Sequence, residues 1–217
     1  MAISESTVAI IGTGNIGSRL AADWAAGGQD FLLAGRDQEA ARKIAAGLDG
    51  HAEAVSVDEA VDRADALVVA VWLPDFRQFI AQYEDRLAGK VIIDPSNPVG
   101  PDADGNYRKV IGEQESSGQI LAGLLPPTAR LVKAFGTLSA PTLAAVARRE
   151  PDRAVLFYAA DDEAAGDLAA DLIRTAGYEP VRVGGLDQSI RIEMYGDLHE
   201  YGALGRVVTR AEALQAI

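Results

Sequence analysis

Val8-Ala9-Ile10-Ile11-Gly12-Thr13-Gly14-Asn15-Ile16-Gly17 is the stretch on which the fold turns. A short apolar run leads straight into three glycines spaced GxGxxG, and a helical pattern carrying Ile16, Leu20 and Trp24 follows at once. The glycine spacing alone is a weak signal. Strand, glycines and helix in that order make it specific. Gly12 permits the tight turn out of the strand, Gly14 lacks the Cβ that would hold a pyrophosphate off the backbone, and Gly17 lets the helix lie close to the sheet. The helix N-terminus then offers unpaired N–H groups and partial positive charge to phosphates. The stretch predicts a dinucleotide-binding corner.

The next segment bears on which dinucleotide. Asp30-Phe31-Leu32-Leu33-Ala34 reads as the second strand. At the end of this strand an NAD site usually carries an acid that accepts from the ribose hydroxyls. Here Gly35 and Arg36 stand in that place, followed by Asp37. Arg offers the extra phosphate of NADP a planar, charge-assisted fork, and Gly35 is expected to leave room for it. Asp37 reads as the N-cap of a helix from Gln38 to Gly47. Arg42 and Lys43 read as a solvated face of that helix. NADP is therefore the expected cofactor.

Working outward, strand and helix signals alternate along the chain, the mark of an α/β protein with a doubly wound parallel sheet. Further strands are expected at 52–56, 66–71, 90–94 and 129–135, then at 154–159 and 179–183. Val99 to Arg108 reads as a glycine- and charge-rich loop. Residues 1–137 are expected to form the Rossmann-type nucleotide-binding domain and 138–217 a small C-terminal α/β unit packed on it. The segments Gly12–Gly17, Gly35-Arg36, Val71–Pro74, Pro95–Pro98 and Phe135–Thr137 all fall at carboxyl ends of strands, where ligands of open α/β sheets bind.

Composition narrows the function classes. With 24% charged residues against 48% apolar, the 217-residue chain reads as an ordinary globular protein. The absence of cysteine excludes thiolate catalysis and disulfides. His51 and His199 have no metal-ligand spacing, so no metal is expected. A formal charge of −12 disfavours nucleic acid or an anionic membrane as partner. No apolar run reaches spanning length, and a cytoplasmic location is expected.

Four stretches, GTGNIGSRLA from Gly12, AGRD from Ala34, DPSNP from Asp94 and VKAFGT from Val132, together resemble the NADP oxidoreductases dependent on the deazaflavin coenzyme F420, whose cofactor fold also occurs in some membrane ferric reductases. The resemblance spans nearly all of the chain. It implies that Thr13, Asn15 and Ile16 lie along the pyrophosphate and Arg36 on the adenosine phosphate. It further implies that Val71, Trp72, Leu73 and Pro74 line the ribose and nicotinamide, and Asn97 and Pro98 the reacting ring. The C-terminal unit would close the cleft and help form a homodimer. Two places depart from the family pattern: Gly136 stands where His or Asn is frequent, and the last helix, expected across Glu193–Tyr201, is acidic where an apolar, positively charged shelf would suit a deazaflavin.

On this basis the chain is expected to be an NADPH-dependent reductase of a small polar electrophile, a carbonyl or imine. Such a reaction needs a proton donor. His199 is the first candidate, because its ordinary pKa lies near neutrality, and Tyr195 the second. The alternatives are reduction or oxidation of the deazaflavin coenzyme, which carries its own acid–base chemistry, and an NADP-binding sensor without turnover.

Overall fold

The computed structural model describes residues 6–102 and 104–217. One eight-stranded sheet organises them, ordered β10-β9-β8-β5-β4-β1-β2-β3. Its strands are β1 (Val8–Ile11), β2 (Phe31–Ala34), β3 (Ala52–Ala54), β4 (Ala66–Val69), β5 (Val91–Asp94), β8 (Arg130–Lys133), β9 (Val155–Ala160) and β10 (Glu179–Arg182). Every neighbouring pair is parallel except β8 with β9. The architecture is the doubly wound Rossmann type, with one antiparallel junction.

The central strands are apolar on both faces because both faces are covered. Val8, Ile10, Leu33, Val68, Ile93 and Val132 point into one core, and Ala9, Ile11, Leu32, Leu67, Val69, Ile92 and Leu131 into the other. This is the period of two that a pleated strand imposes. Helices α1 (Asn15–Ala26), α2 (Gln38–Ala46), α6 (Ala140–Val146) and α7 (Glu163–Thr175) cover the first face. Helices α3 (Val57–Arg63), α4 (Leu73–Tyr83) and α5 (Ser117–Ala122) cover the second. Fully buried Trp24 anchors the first core, edge-on to Phe31 and Phe135, with its indole N–H donating to the Leu172 carbonyl at 3.2 Å.

Residues 138–217 add β9 and β10 to this same sheet and are tied to α1 by buried polar contacts. Arg148 donates to the carbonyls of Asp23, Thr175 and Ala176. The Tyr178 hydroxyl lies 3.0 Å from the Asp23 carboxylate and 2.9 Å from the Leu143 carbonyl. Burial, with the Asp23 charge beside it, pushes the Tyr178 hydroxyl far above its usual pKa, so it remains a donor.

Two expectations about local structure need correction. The stretch 99–108 is not irregular. It carries a two-stranded antiparallel hairpin, β6 (Val99–Pro101) with β7 (Tyr107–Lys109). No helix runs through Glu193–Tyr201. The last turn of helix ends with α8 (Ser189–Ile192), and the chain then winds through turns until α9 (Arg210–Ala216). Helical winding stops there because Tyr195 takes a left-handed backbone, φ 73°, and Gly196 packs against main chain; a Cβ on it would sit 2.3 Å from the Ile190 carbonyl. Among the described residues, no helix is long and apolar enough to cross a membrane, and no group of three or more His, Cys, Asp or Glu is placed to hold a metal ion.

Candidate functional site

The site is assembled at the carboxyl ends of β1, β2, β4, β5 and β8. At the centre is the glycine corner, where the three glycines have different physical reasons. Gly12 has φ +117°, and a Cβ there would meet the Ala70 carbonyl oxygen at 2.4 Å. A Cβ on Gly17 would meet the Gly12 carbonyl oxygen at 1.9 Å, the close helix–sheet approach expected of this position. Gly14 is the opposite case: a Cβ there would meet no protein atom within 4 Å. It borders open space. Gly14 is also the N-cap of α1 without a side-chain cap, and the first turn holds no acid. The N–H groups at this helix start therefore face outward, available to an anion. Asn15 is exposed beside them, with Thr13 and Ile16 half-buried.

Neighbouring strand ends form the walls. Arg36, just beyond β2, has its side chain 90% exposed, with Nη1 3.5 Å from Asp75 Oδ1. Asp37 caps α2, its Oδ1 accepting from the N–H groups of Glu39 and Ala40 at 3.0 Å each. Gly35 does not provide the room expected of it. A Cβ there would meet the Thr13 side chain at 3.1–3.2 Å, so the glycine admits Thr13. After β4, Val71 is half-buried and Trp72 and Pro74 are exposed, while Leu73 is turned into the core.

Beyond β5 and β8, the structure joins residues that sequence spacing could not. Asn97 is half-buried and Pro98 buried. The Asn97 side chain bridges two loops, donating to the Gly136 carbonyl at 2.9 Å and accepting from the Met194 N–H at 2.6 Å. A side chain at 136 would start 2.9 Å from the Pro95 carbonyl, which accounts for glycine at this point. Beneath this loop lies a buried charge network. Lys133 Nζ donates to Asp94 Oδ2 at 2.7 Å, to Ser117 Oγ at 2.9 Å and to the Ser96 carbonyl. Glu193, expected on an acidic helix face, is buried instead. Its Oε1 accepts from Ser117 Oγ at 2.8 Å and the Gly118 N–H at 3.0 Å, 4.0 Å from Lys133 Nζ. Opposite charges at one register of two adjacent buried strands, Asp94 beside Lys133, are the signal that could have announced this network.

Aromatics from three separate segments meet on the surface beyond β4. Trp72 stacks on Tyr107 of β7, with ring centroids 5.9 Å apart and planes 21° from parallel. The Tyr195 hydroxyl donates to the Tyr107 carbonyl at 2.6 Å. All three are about half exposed. An aromatic wall thus stands where the sequence, read with a helix at 193–201, offered no shelf.

The two candidate proton donors are placed differently from expectation. His199 is buried, its Nε2 3.1 Å from the Gly136 carbonyl and its Nδ1 accepting from the Tyr201 N–H at 3.0 Å. That pattern fixes the Nε2–H tautomer and occupies both nitrogens. Burial holds the ring's pKa below its ordinary 6.5, outweighing the Glu200 charge. With both nitrogens engaged by main chain, the buried imidazole is a strut between the 193–201 turns and Gly136. The Tyr195 hydroxyl, which donates to the Tyr107 carbonyl, lies on the half-exposed surface instead.

A protein-family model described as NADP oxidoreductase, coenzyme F420-dependent, matches residues 7–98. The F420-dependent NADP reductase of Methanothermobacter thermautotrophicus is 30% identical over 197 residues, covering 86% of this chain and 84% of that protein. The chain belongs to the F420-dependent NADP oxidoreductase family. Metalloreductase STEAP3 of Rattus norvegicus is 28% identical over 187 residues; the match covers 86% of this chain but only 35% of the length of that relative. Among solved structures, a hypothetical protein, SMa0349 of Sinorhizobium meliloti, superposes with a TM-score of 0.82 at 28% identity over 95% of this chain and 97% of that one.

The family's cofactor is NADP, and the corner fits it: open space over Gly14, an uncapped helix start, and an exposed guanidinium one strand away. Losing a charge-assisted contact costs about 1.5–3 kcal/mol. Arg36→Ala is therefore expected to weaken NADPH at least tenfold and leave NADH nearly unchanged, as read by titration calorimetry. Equal affinity of the wild type for both cofactors would contradict the assignment.

The strut at His199 has a pH signature. The unfolded chain takes up the proton first, so the stability that neutral His199 confers is present above about pH 6.5 and lost as pH falls below it. Thermal melts between pH 7.5 and 5 should show this loss in the wild type and a flatter profile in His199→Gln, whose amide can keep both backbone contacts. Identical profiles would remove His199 from the account.

Proposed function

We propose that this protein exchanges hydride between NADPH and a flat deazaflavin acceptor, the coenzyme named for its methanogen relative. The observation that carries this reading is the aromatic wall of Trp72, Tyr107 and Tyr195, combined with the backbone hydrogen bonds that engage His199 and Tyr195. NADPH, when bound, supplies the hydride. The chain's own residues bind and orient. The Gly14 corner and the α1 N-terminus would hold the pyrophosphate, and Arg36 the adenosine phosphate. Asn97, fixed by Gly136 and Met194, would form a rigid rim for the nicotinamide together with Pro98. Rigid positioning of two rings is what hydride transfer demands. A deazaflavin needs no side-chain acid, whereas a carbonyl or imine does. The proposal takes residues 138–217 as the part that closes the cleft and joins two copies into a cytoplasmic homodimer, which light scattering would register at twice the chain mass.

The test is NADPH oxidation with oxidised coenzyme F420 and, separately, with a panel of small carbonyls and imines. Turnover is expected with the coenzyme. Aromatic pairs contribute about 0.5–1.5 kcal/mol each, so Trp72→Ala with Tyr107→Ala should raise the KM for the coenzyme several-fold or more while leaving NADPH affinity in place. His199→Gln should keep kcat within a few-fold. Turnover confined to carbonyls or imines, with a hundredfold loss in His199→Gln, would overturn the proposal in favour of a polar electrophile. NADPH binding without turnover on any acceptor would point to a sensor.

A further inference from the structure

The strand order β4-β1-β2 places the loop after β2 and the start of α4 on either side of the glycine corner. Across that corner Arg36 meets a carboxylate. Its Nη1 lies 3.5 Å from Asp75 Oδ1, with the Arg36 side chain 90% and the Asp75 side chain 34% exposed. Asp37, the acid adjacent in sequence, is committed to capping α2. Asp75 sits in the first turn of α4, a helix whose N-cap residue, Trp72, gives no side-chain cap, so a negative charge there also answers the positive end of the helix.

We propose that Asp75 is a specificity-determining residue of the cofactor groove, an internal anion that holds the Arg36 guanidinium before the 2′-phosphate of NADPH does. The inference rests on the assignment of Arg36 to that phosphate. A dianionic phosphate reaching Arg36 competes with the carboxylate for Nη1 and is repelled by its charge, so Asp75 opposes NADPH twice. NADH brings only ribose hydroxyls to this place and meets neither opposition. Asp75 therefore lowers the preference for NADPH that Arg36 creates. An exposed ion pair is a weak one, so the expected factor is modest, on the order of three- to tenfold, and it shrinks as salt screens the charges.

The experiment measures NADPH and NADH dissociation constants at low and high salt for wild type, Asp75→Asn, Arg36→Ala and the double variant, with thermal melts to verify folding. Asp75→Asn is expected to tighten NADPH about three- to tenfold and move NADH less than twofold. The gain should fall below about twofold when Arg36 is already Ala, because the competed group is gone. If Arg36→Ala weakens NADPH tenfold while Asp75→Asn leaves it unchanged or weakens it, Asp75 is no competitor and the inference fails alone. If Arg36→Ala leaves NADPH untouched, the placement of the phosphate fails, and the inference falls with it. An equal gain for NADPH and NADH in Asp75→Asn would also overturn it, since the effect would not pass through the phosphate.

Discussion

Gly14→Val is expected to abolish saturable NADPH binding while leaving the unliganded melting temperature within a degree or two of the wild type. Gly14 has φ −75° and ψ −169°, an extended conformation that valine adopts readily, and its missing side chain borders open space rather than protein. A side chain there displaces no protein atom at its Cβ; the pyrophosphate would lose its seat. Gly17→Ala provides the contrast. Its Cβ would start 1.9 Å from the Gly12 carbonyl oxygen, so α1 must move off the sheet and the protein should melt earlier. Calorimetric titration and thermal melts on the two variants separate a ligand-bearing glycine from a packing one. A folded Gly14→Val that still binds NADPH would reduce the motif to a structural corner.

Lys133→Met is expected to be the most destabilising single change near the site. The variant would leave the Asp94 carboxylate buried without its cation and strip donors from Ser117 and the Ser96 carbonyl. Breaking a buried pair by removing one partner costs about 3–5 kcal/mol. For a chain of this size that is a fall in Tm of roughly 10 °C. Arg130→Met, which breaks the exposed pair with Asp162, should cost less than about 1 kcal/mol. Losses of similar size in the two variants would mean that the Lys133 network does not brace the 95–98 loop.

Most of the sheet was legible in the sequence because its strands are buried on both faces and its helices carry strong caps. Asp37 at the start of α2 and the run Ala66–Val71 are examples in which local chemistry and tertiary role agree. Three features were not legible. The β6–β7 hairpin has three-residue strands with few apolar positions, so its composition is that of a loop, and Tyr107 could not be anticipated at the cleft. In Glu193–Tyr201 the spacing of charged and aromatic residues fits a helical face. Close main-chain packing at Gly196 and Gly202 sends the chain into turns instead, which carries His199 and Glu193 inward. The third is Lys133, an ordinary lysine in sequence, whose role depends on the partner that β5 sets beside it.

Within the candidate site, the glycine corner and Arg36 could be read from local sequence, since each lies at the end of one strand, β1 or β2. The proposed acceptor side is built from segments around residues 72, 107, 136 and 195, and only the folded chain brings them together. Phe135 and Tyr195 both hold left-handed backbones, φ 65° and 73°. Such conformations cost of order 1–3 kcal/mol each and persist where surrounding structure enforces them, commonly at functional sites.

The most direct measurement is a crystal structure of the protein with NADPH bound. The account predicts the pyrophosphate over Gly14, the 2′-phosphate on Arg36 in place of Asp75, and the nicotinamide at the Asn97–Pro98 rim facing the Trp72–Tyr107 wall, with His199 still bonded to Gly136. A nicotinamide directed away from that wall, or His199 released and aimed at the ring, would contradict it.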